Sequence, residues 1–310
     1  MATTRWRDNE NSNLNEALQL LSSPIQDEDR TNIVARENWH VDIIFDKNKE
    51  ITLSGSCIHY NVVNFSFDKA INTGNDFTIS PQNGFIVVYE NAGILKYIID
   101  KNSDAKTLLR KMLSYTGKNE IDNNNVELSS DFFLWIIKRV YYSNNTIDLP
   151  EVAGTKQSLG IESIKGFSGD TDDAQTKVSA SGESVMNIIS TLSFFLESSN
   201  FKKIIIDLRY KCHDKIALIL RSGTVEIDTR AYIGAYDSDE YWDKVAKLYL
   251  VCYIEILPLL LQEYASDKEN ESWNNDQYIC FMRDIASKIM ERVENKQREM
   301  GDPEETIEKR

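Results

Sequence analysis

From Trp39 onward apolar and polar residues alternate with a period of two, through "WHVDIIFD", "EITLSGSCIHY" and "NVVNFSF". That alternation predicts strands with one buried face, and "KNKE" and "NTGND" supply the turns between them. "GFIVVYENAGILKYIID" repeats the pattern as a hairpin about "ENAG". The period then lengthens. In "SDAKTLLRKMLSY" Leu108, Leu109, Met112 and Leu113 fall on one helical face, with Ser103 placed as N-cap. "SSDFFLWIIKRVYY" is apolar on most sides, as a buried helix is, and Ser129 or Ser130 caps it. Ahead of the strands, "MATTRWRDNENSN" reads as a frayed polar end and "LNEALQLLSS" as a short helix stopped before Pro24.

The second half has its own pattern. Ser143 to Ala180 is rich in turn formers, with "IESIKGF" as one short strand-like piece, and reads as a polar linker or functional loop. "GESVMNIISTLSFFLES" places Val185, Ile188, Ile189, Leu192, Phe195 and Leu196 at helical spacing. "KKIIIDLRYKCHDKIALILRSGTVEID" then predicts a three-stranded antiparallel meander. Taking Cys212-His213-Asp214 as its first loop sets Tyr210 opposite Ile216 and Leu208 opposite Leu218, so each core residue meets another. Ser222-Gly223 closes the next turn, setting Leu218 against Ile227. "DSDEYWDKVAKLYLVCYIEILPLLLQEY" is a long helix that Pro258 should kink, and "NNDQYICFMRDIASKIMERV" is the last helix. From Glu294 apolar residues run out and disorder is expected. Strands followed by helices, rather than alternating with them, predict an α+β fold. Its N-terminal part is an antiparallel β-sheet with helices, and its C-terminal part a helix, the meander and long helices. The expected division is a β-rich lobe with two helices over 1–145, the linker over 146–180, an α+β lobe over 181–298 and a disordered tail over 299–310.

Composition bounds the function. The 310 residues are 41% hydrophobic and 27% charged, ample for a core. The net charge of -14 repels phosphate at long range, which disfavours a broad nucleic-acid-coating surface but leaves a local contact open. Four widely spaced cysteines without a Cys-x-x-Cys pair, and no visible secretory signal, fit a reducing cytoplasm. With only three histidines a zinc site is not expected. "LYLVCYIEILPLLL" falls short of the roughly 20 apolar residues a bilayer needs, and carries Glu255 and Pro258, so it reads as a buried helix and no membrane contact is expected.

Candidate chemistry is sparse. His213-Asp214 resembles a metallohydrolase pair only in sequence, because such pairs sit on helices and this one falls at a loop tip. The meander register gathers Lys211, Lys215 and Arg230 in one row beside His213, a small basic patch suited to an anionic partner. "GDTDD" offers Asp170, Asp172 and Asp173 as ligands for a hard cation such as Mg²⁺, although its spacing fits no EF-hand. Asp207, with Glu226 supplying a second carboxylate, sketches a metal-dependent nuclease or phosphohydrolase. The leading expectation is a non-catalytic interaction protein without a cofactor, one subunit of a larger assembly or a homo-oligomer. Its abundance of Asn, Lys, Ile and Asp fits an AT-rich genome, a composition associated with bacterial antiviral defence.

Overall fold

The computed structural model describes residues 2–23, 34–72, 77–117, 119–152, 155–170, 177–181 and 200–300. The α+β class is present, built on antiparallel sheets with helices. The chain divides into two compact units. Unit 1 is Met1–Glu127 with Gly223–Pro258, and unit 2 is Leu128–Ser222 with Leu259–Arg310. Each unit thus draws on two separate stretches of sequence, unlike the two successive lobes expected.

Unit 1 holds β1 (Thr4–Asp8), β2 (Val34–Ile43), β3 (Lys49–Leu53), β4 (Ser56–Asn72), β5 (Phe77–Asn91), β6 (Ile94–Ile99) and β7 (Ile121–Asn123). They form one sheet in the order β2-β4-β5-β6-β1-β7, with β3 also on β4. One face carries Val63, Phe65 and Phe67 of β4 with Ile86, Val88, Tyr97 and Ile99. Against it pack α1 (Leu14–Leu21) and α2 (Ala105–Met112), through Leu14, Leu18, Leu108 and Met112. Asn13 caps α1, its side chain accepting from the N–H of Asn15 and Glu16. Asp104, not Ser103, precedes α2. On the other face Tyr60, Val62, Val87 and Tyr89 are fully buried, and Phe85 packs on Trp242 and Tyr249 of α4 (Tyr241–Val251).

The polar N-terminus is not frayed. β1 lies inside the sheet, between β6 and β7. Its side chains earn that place by specific bonds: Thr4 Oγ1 donates to Lys101 O at 2.7 Å, and Asp8 accepts from the hydroxyls of Tyr97 and Tyr115 and from the N–H of Glu10 and Asn11. Beyond α4 comes a π-helical turn, Cys252–Ile256, and then α5 (Leu257–Glu269). Pro258 has no N–H to donate and its ring crowds the preceding turn. The wider turn just upstream accommodates it, with Leu257 N–H bonded to Cys252 O. The helical run Tyr241–Glu269 is long and apolar enough to cross a membrane, yet 67% of its most apolar window is buried in the protein, as in a core helix.

Unit 2 overturns the expected linker. Residues 146–180 supply β8 (Thr146–Val152), β9 (Thr155–Asp170) and β10 (Lys177–Ser181). β9 is central: β8 and β10 share one of its edges and β11 (Asn200–Tyr210) takes the other, followed by β12 (His213–Arg221). β9 escapes a period-of-two reading because it is bulged. Against β11, Lys165 and Glu162 are extra residues on β9, and Lys202 is an extra residue on β11. All three carry charges that pair across the strands: Lys165 with Asp207 at 3.8 Å, Glu162 with Arg209 at 2.9 Å, and Lys202 with Asp170. β13 (Thr224–Ile227) and β14 (Ile233–Gly234) follow in unit 1. α3 (Ser130–Tyr141) is buried along Phe132–Ile137 and capped by Ser129, which accepts from Phe132 N–H. Its buried Arg139 binds Glu263 and Asp267 of α5 at 2.9 and 3.2 Å and donates to Asn144 O and Thr146 O. α6 (Asn275–Glu299) carries on through Glu294–Glu299, assigned from sequence to a disordered end. The expected helix over 182–198 lies outside the described residues, as does 301–310.

The hairpin register differs from expectation. Lys211, at φ 50°, and Cys212 make a two-residue turn, so Tyr210 pairs with His213. Asp214 and Lys215 then both oppose Arg209, and this bulge restores the apolar face with Leu208 opposite Ile216 and Ile206 opposite Leu218. Leu218 is fully buried all the same. Leu218→Ala should cost about 2–5 kcal/mol through lost burial and a cavity. Denaturant unfolding followed by hydrogen exchange at β11 and β12 amides checks this; an unchanged midpoint would contradict the buried placement.

Candidate functional site

The residues singled out by sequence do not converge. Asp207 is 11% exposed at its side chain and engaged by Lys165 and by Lys215 at 3.3 Å. A divalent cation would have to displace both ammonium groups from the same carboxylate oxygen. Lys215 is therefore paired, whereas the sequence set it in a basic row open to an anionic partner. His213 is no loop tip: it is a strand residue, 2% exposed, stacked 6.5 Å from the Tyr210 ring. A buried ring cannot contribute to a surface patch, and the cause is the turn, which falls one residue earlier than expected. Lys211 lies at that turn with Nζ 4.9 Å over Tyr210. Glu226 and Arg230 belong to unit 1, whereas Asp207, Lys211 and Lys215 belong to unit 2. Asp170 ends β9 and pairs with Lys202, and Asp172 and Asp173 lie outside the described residues.

A different site emerges on the α4 face of unit 1. Asp42, Asn64 and Phe85 are direct partners across β2, β4 and β5, and so are His40, Ser66 and Asn83. Direct cross-strand partners share a face, so these two rungs project together. His40 owes its orientation to a bulge. Asn38 and Trp39 both oppose Phe67, with Asn38 at φ 54° and its amide donating to Asp68 at 2.8 Å. Without the extra residue the register would place Trp39 and Val41 on the cleft face and turn His40 to the core side. Trp39 instead stacks on Phe67 at 4.5 Å.

Tyr241 and Trp242 at the start of α4 stand over these rungs and leave a cleft of about 390 Å³. Trp242 lies 5.5 Å from the Phe85 ring and 4.9 Å from Tyr241, giving one wall aromatic character. The floor is polar. His40 Nε2 sits 3.1 Å from Asp42 Oδ2. Asn64 Oδ1 is buried and has no hydrogen-bond partner among the described residues. Gly84, between Asn83 and Phe85, also borders the cleft, and on the opposite face of the sheet a Cβ there would collide with Asp100 Oδ1 and the Phe65 ring.

The helix end is fixed by a polar anchor. Tyr60, fully buried on β4, donates its hydroxyl to Asp243, the residue after Trp242. Desolvation first, then the Asp243 carboxylate, pushes the Tyr60 phenol far above its ordinary range, so it stays a donor. Lys247 neutralises Asp243 at 3.0 Å and also holds Asp239 at 2.8 Å. Sequence reading missed this cleft. Its signals were a His-x-Asp on a strand and an Asn-x-Ser on the next, both too common to stand out.

No protein-family model matches the chain, and no curated protein matches it.

Behind Gly84, Asp100 Oδ1 accepts from Phe85 N–H at 2.9 Å while Oδ2 is buried without a partner among the described residues. Burial raises the Asp100 carboxyl, outweighing Lys101 and the Phe85 N–H. The folded chain thus holds this proton more tightly than the unfolded chain. The penalty is absent below the unfolded pKa, grows as pH rises toward the folded pKa, and is full above it. Asp100→Asn keeps the acceptor and removes the charge. It should match or exceed the parent at pH 7, by up to about 1 kcal/mol. Thermal midpoints against pH check the sign: the difference should move in the parent's favour as pH falls through that window.

Proposed function

We propose that the chain is a non-catalytic binding protein and that the cleft over β2, β4 and β5 is its ligand site. The ligand class is a small flat heterocycle with donors and acceptors on its edge, such as a nucleobase. The observation that carries this reading is the buried, unpartnered Asn64 Oδ1 in the floor, beside the aromatic rings of Phe85 and Trp242. A buried acceptor left empty costs free energy, and a turn of the Asn64 side chain toward the cleft would let a ligand N–H or O–H recover it. Rings along one wall favour a stacked flat guest, and the polar side chains of His40 and Asn83 line the same cleft as hydrogen-bonding groups for its edge. The volume lies within the range of small-molecule pockets, roughly 300–1,000 Å³. The four unbridged thiols support a reducing compartment for this activity.

Calorimetric titration with a panel of nucleosides, and with indole as a flat ligand poor in edge groups, tests the reading. One nucleoside should bind saturably and indole more weakly. Asn64→Leu and Trp242→Ala should each weaken binding by about tenfold or more, while circular dichroism stays that of the parent. Absence of saturable binding across the panel, or binding that survives both substitutions, would overturn the proposal.

A further inference from the structure

At the far end of the same sheet, three metal-binding side chains of different types come together on the β3–β4 hairpin. Glu50, Cys57 and His59 are exposed, and one ligand atom from each lies within 4.8 Å of the others. Glu50 Oε2 is 3.7 Å from Cys57 Sγ and 4.0 Å from His59 Nδ1. Around a tetrahedral zinc, with bonds of roughly 2.0–2.3 Å, donor atoms stand about 3.3–3.8 Å apart. Only small side-chain rotations separate the present arrangement from that geometry. We infer that Glu50, Cys57 and His59 form a binding site for a zinc-type divalent ion. This inference is independent of the cleft.

Register and packing argue that the site is preorganised. Glu50 and His59 are direct partners, and His59 is also the direct partner of Glu90 on β5. Glu50, His59 and Glu90 therefore form one rung across three strands, with Cys57 on the same face two residues along β4. Ile58 and Tyr60, which alternate with these residues, are fully buried and lock β4 in place. The hairpin turn is fixed as well: Ser54, at φ 48°, donates its N–H to Glu255 Oε1 at 2.7 Å, and Gly55 follows at φ 76°.

The donor set selects the metal. Thiolate and imidazole favour zinc and its transition-metal neighbours, whereas Mg²⁺ takes oxygen donors. Desolvation and then Glu50 raise the Cys57 thiol, so in the absence of a cation the proton stays on sulfur. On binding, the Cys57 S–H bond breaks, its proton passes to solvent, and the S⁻ pair is given to the metal. Three protein ligands leave a fourth position for water, or for Glu90 after a rotamer change.

Titration of the tag-free full chain with Co²⁺, followed by its thiolate-to-cobalt charge-transfer and tetrahedral ligand-field bands, tests the site. One equivalent should generate the bands, Zn²⁺ should abolish them, and excess Mg²⁺ should not. Cys57→Ser should remove the charge-transfer band, and His59→Gln and Glu50→Gln should each weaken binding by about tenfold or more. His40→Gln should leave binding unchanged. All three ligands are exposed, so the variants should fold; an unchanged circular dichroism spectrum confirms it. Zn²⁺ should also slow alkylation of Cys57. A spectrum lacking a charge-transfer band, or Co²⁺ affinity unaltered in Cys57→Ser, would overturn the inference.

Discussion

β4 is 17 residues long and bonded along both edges, and its register decides what the rest of unit 1 can do. One parity of its residues, Val63, Phe65 and Phe67, meets α1 and α2, while the other, Tyr60 and Val62, lies on the α4 face. A slip of one residue would exchange those faces and expose both cores. It would also scatter the two rungs of the cleft and separate Glu50 from His59. Aliphatic and aromatic packing on two faces at once therefore secures polar groups that contribute little to stability themselves.

Bulges then place the polar groups that this packing alone would misdirect. At Asn38 one extra residue turns His40 and Asp42 toward the cleft. In unit 2, extra residues at Glu162, Lys165 and Lys202 set charges against Arg209, Asp207 and Asp170. Such pairs lie on a partly wet face, where ion pairs are individually weak. Their value lies in neutralising acids such as Asp207 that the sheet buries.

These devices explain what the sequence disclosed. Clean alternation revealed β11 and β12 and parts of β4 and β5, helical spacing revealed α2 and an apolar run on most sides revealed α3, because burial imposes those patterns; the turn at Ser54-Gly55 between β3 and β4 was read as strand. Where a bulge breaks the period, as along β9, the strand looked like a linker. β1 was hidden for another reason: Thr4 and Asp8 are buried by particular hydrogen bonds, and such partners leave no local trace. The candidate chemistry suffered most. His213 was placed one residue wrong and so judged exposed, and Lys215 was set in an open basic row although Asp207 of the neighbouring strand takes it. Histidines were too few to suggest zinc, yet Cys57-Ile58-His59 puts two ligands on one strand face with the third supplied across the ladder.

The position of β1 bears on how the chain acquires its shape. Thr4 pairs with Ile99 and Trp6 with Asn123. β1 is made before β6 and β7 and so waits for them, and closing so long a loop is slow in entropic terms. Until then β6 and β7 present open edges toward each other. Synthesis order and assembly order run opposite ways here, and the interval between them is when unit 1 is most exposed to mispairing with other chains.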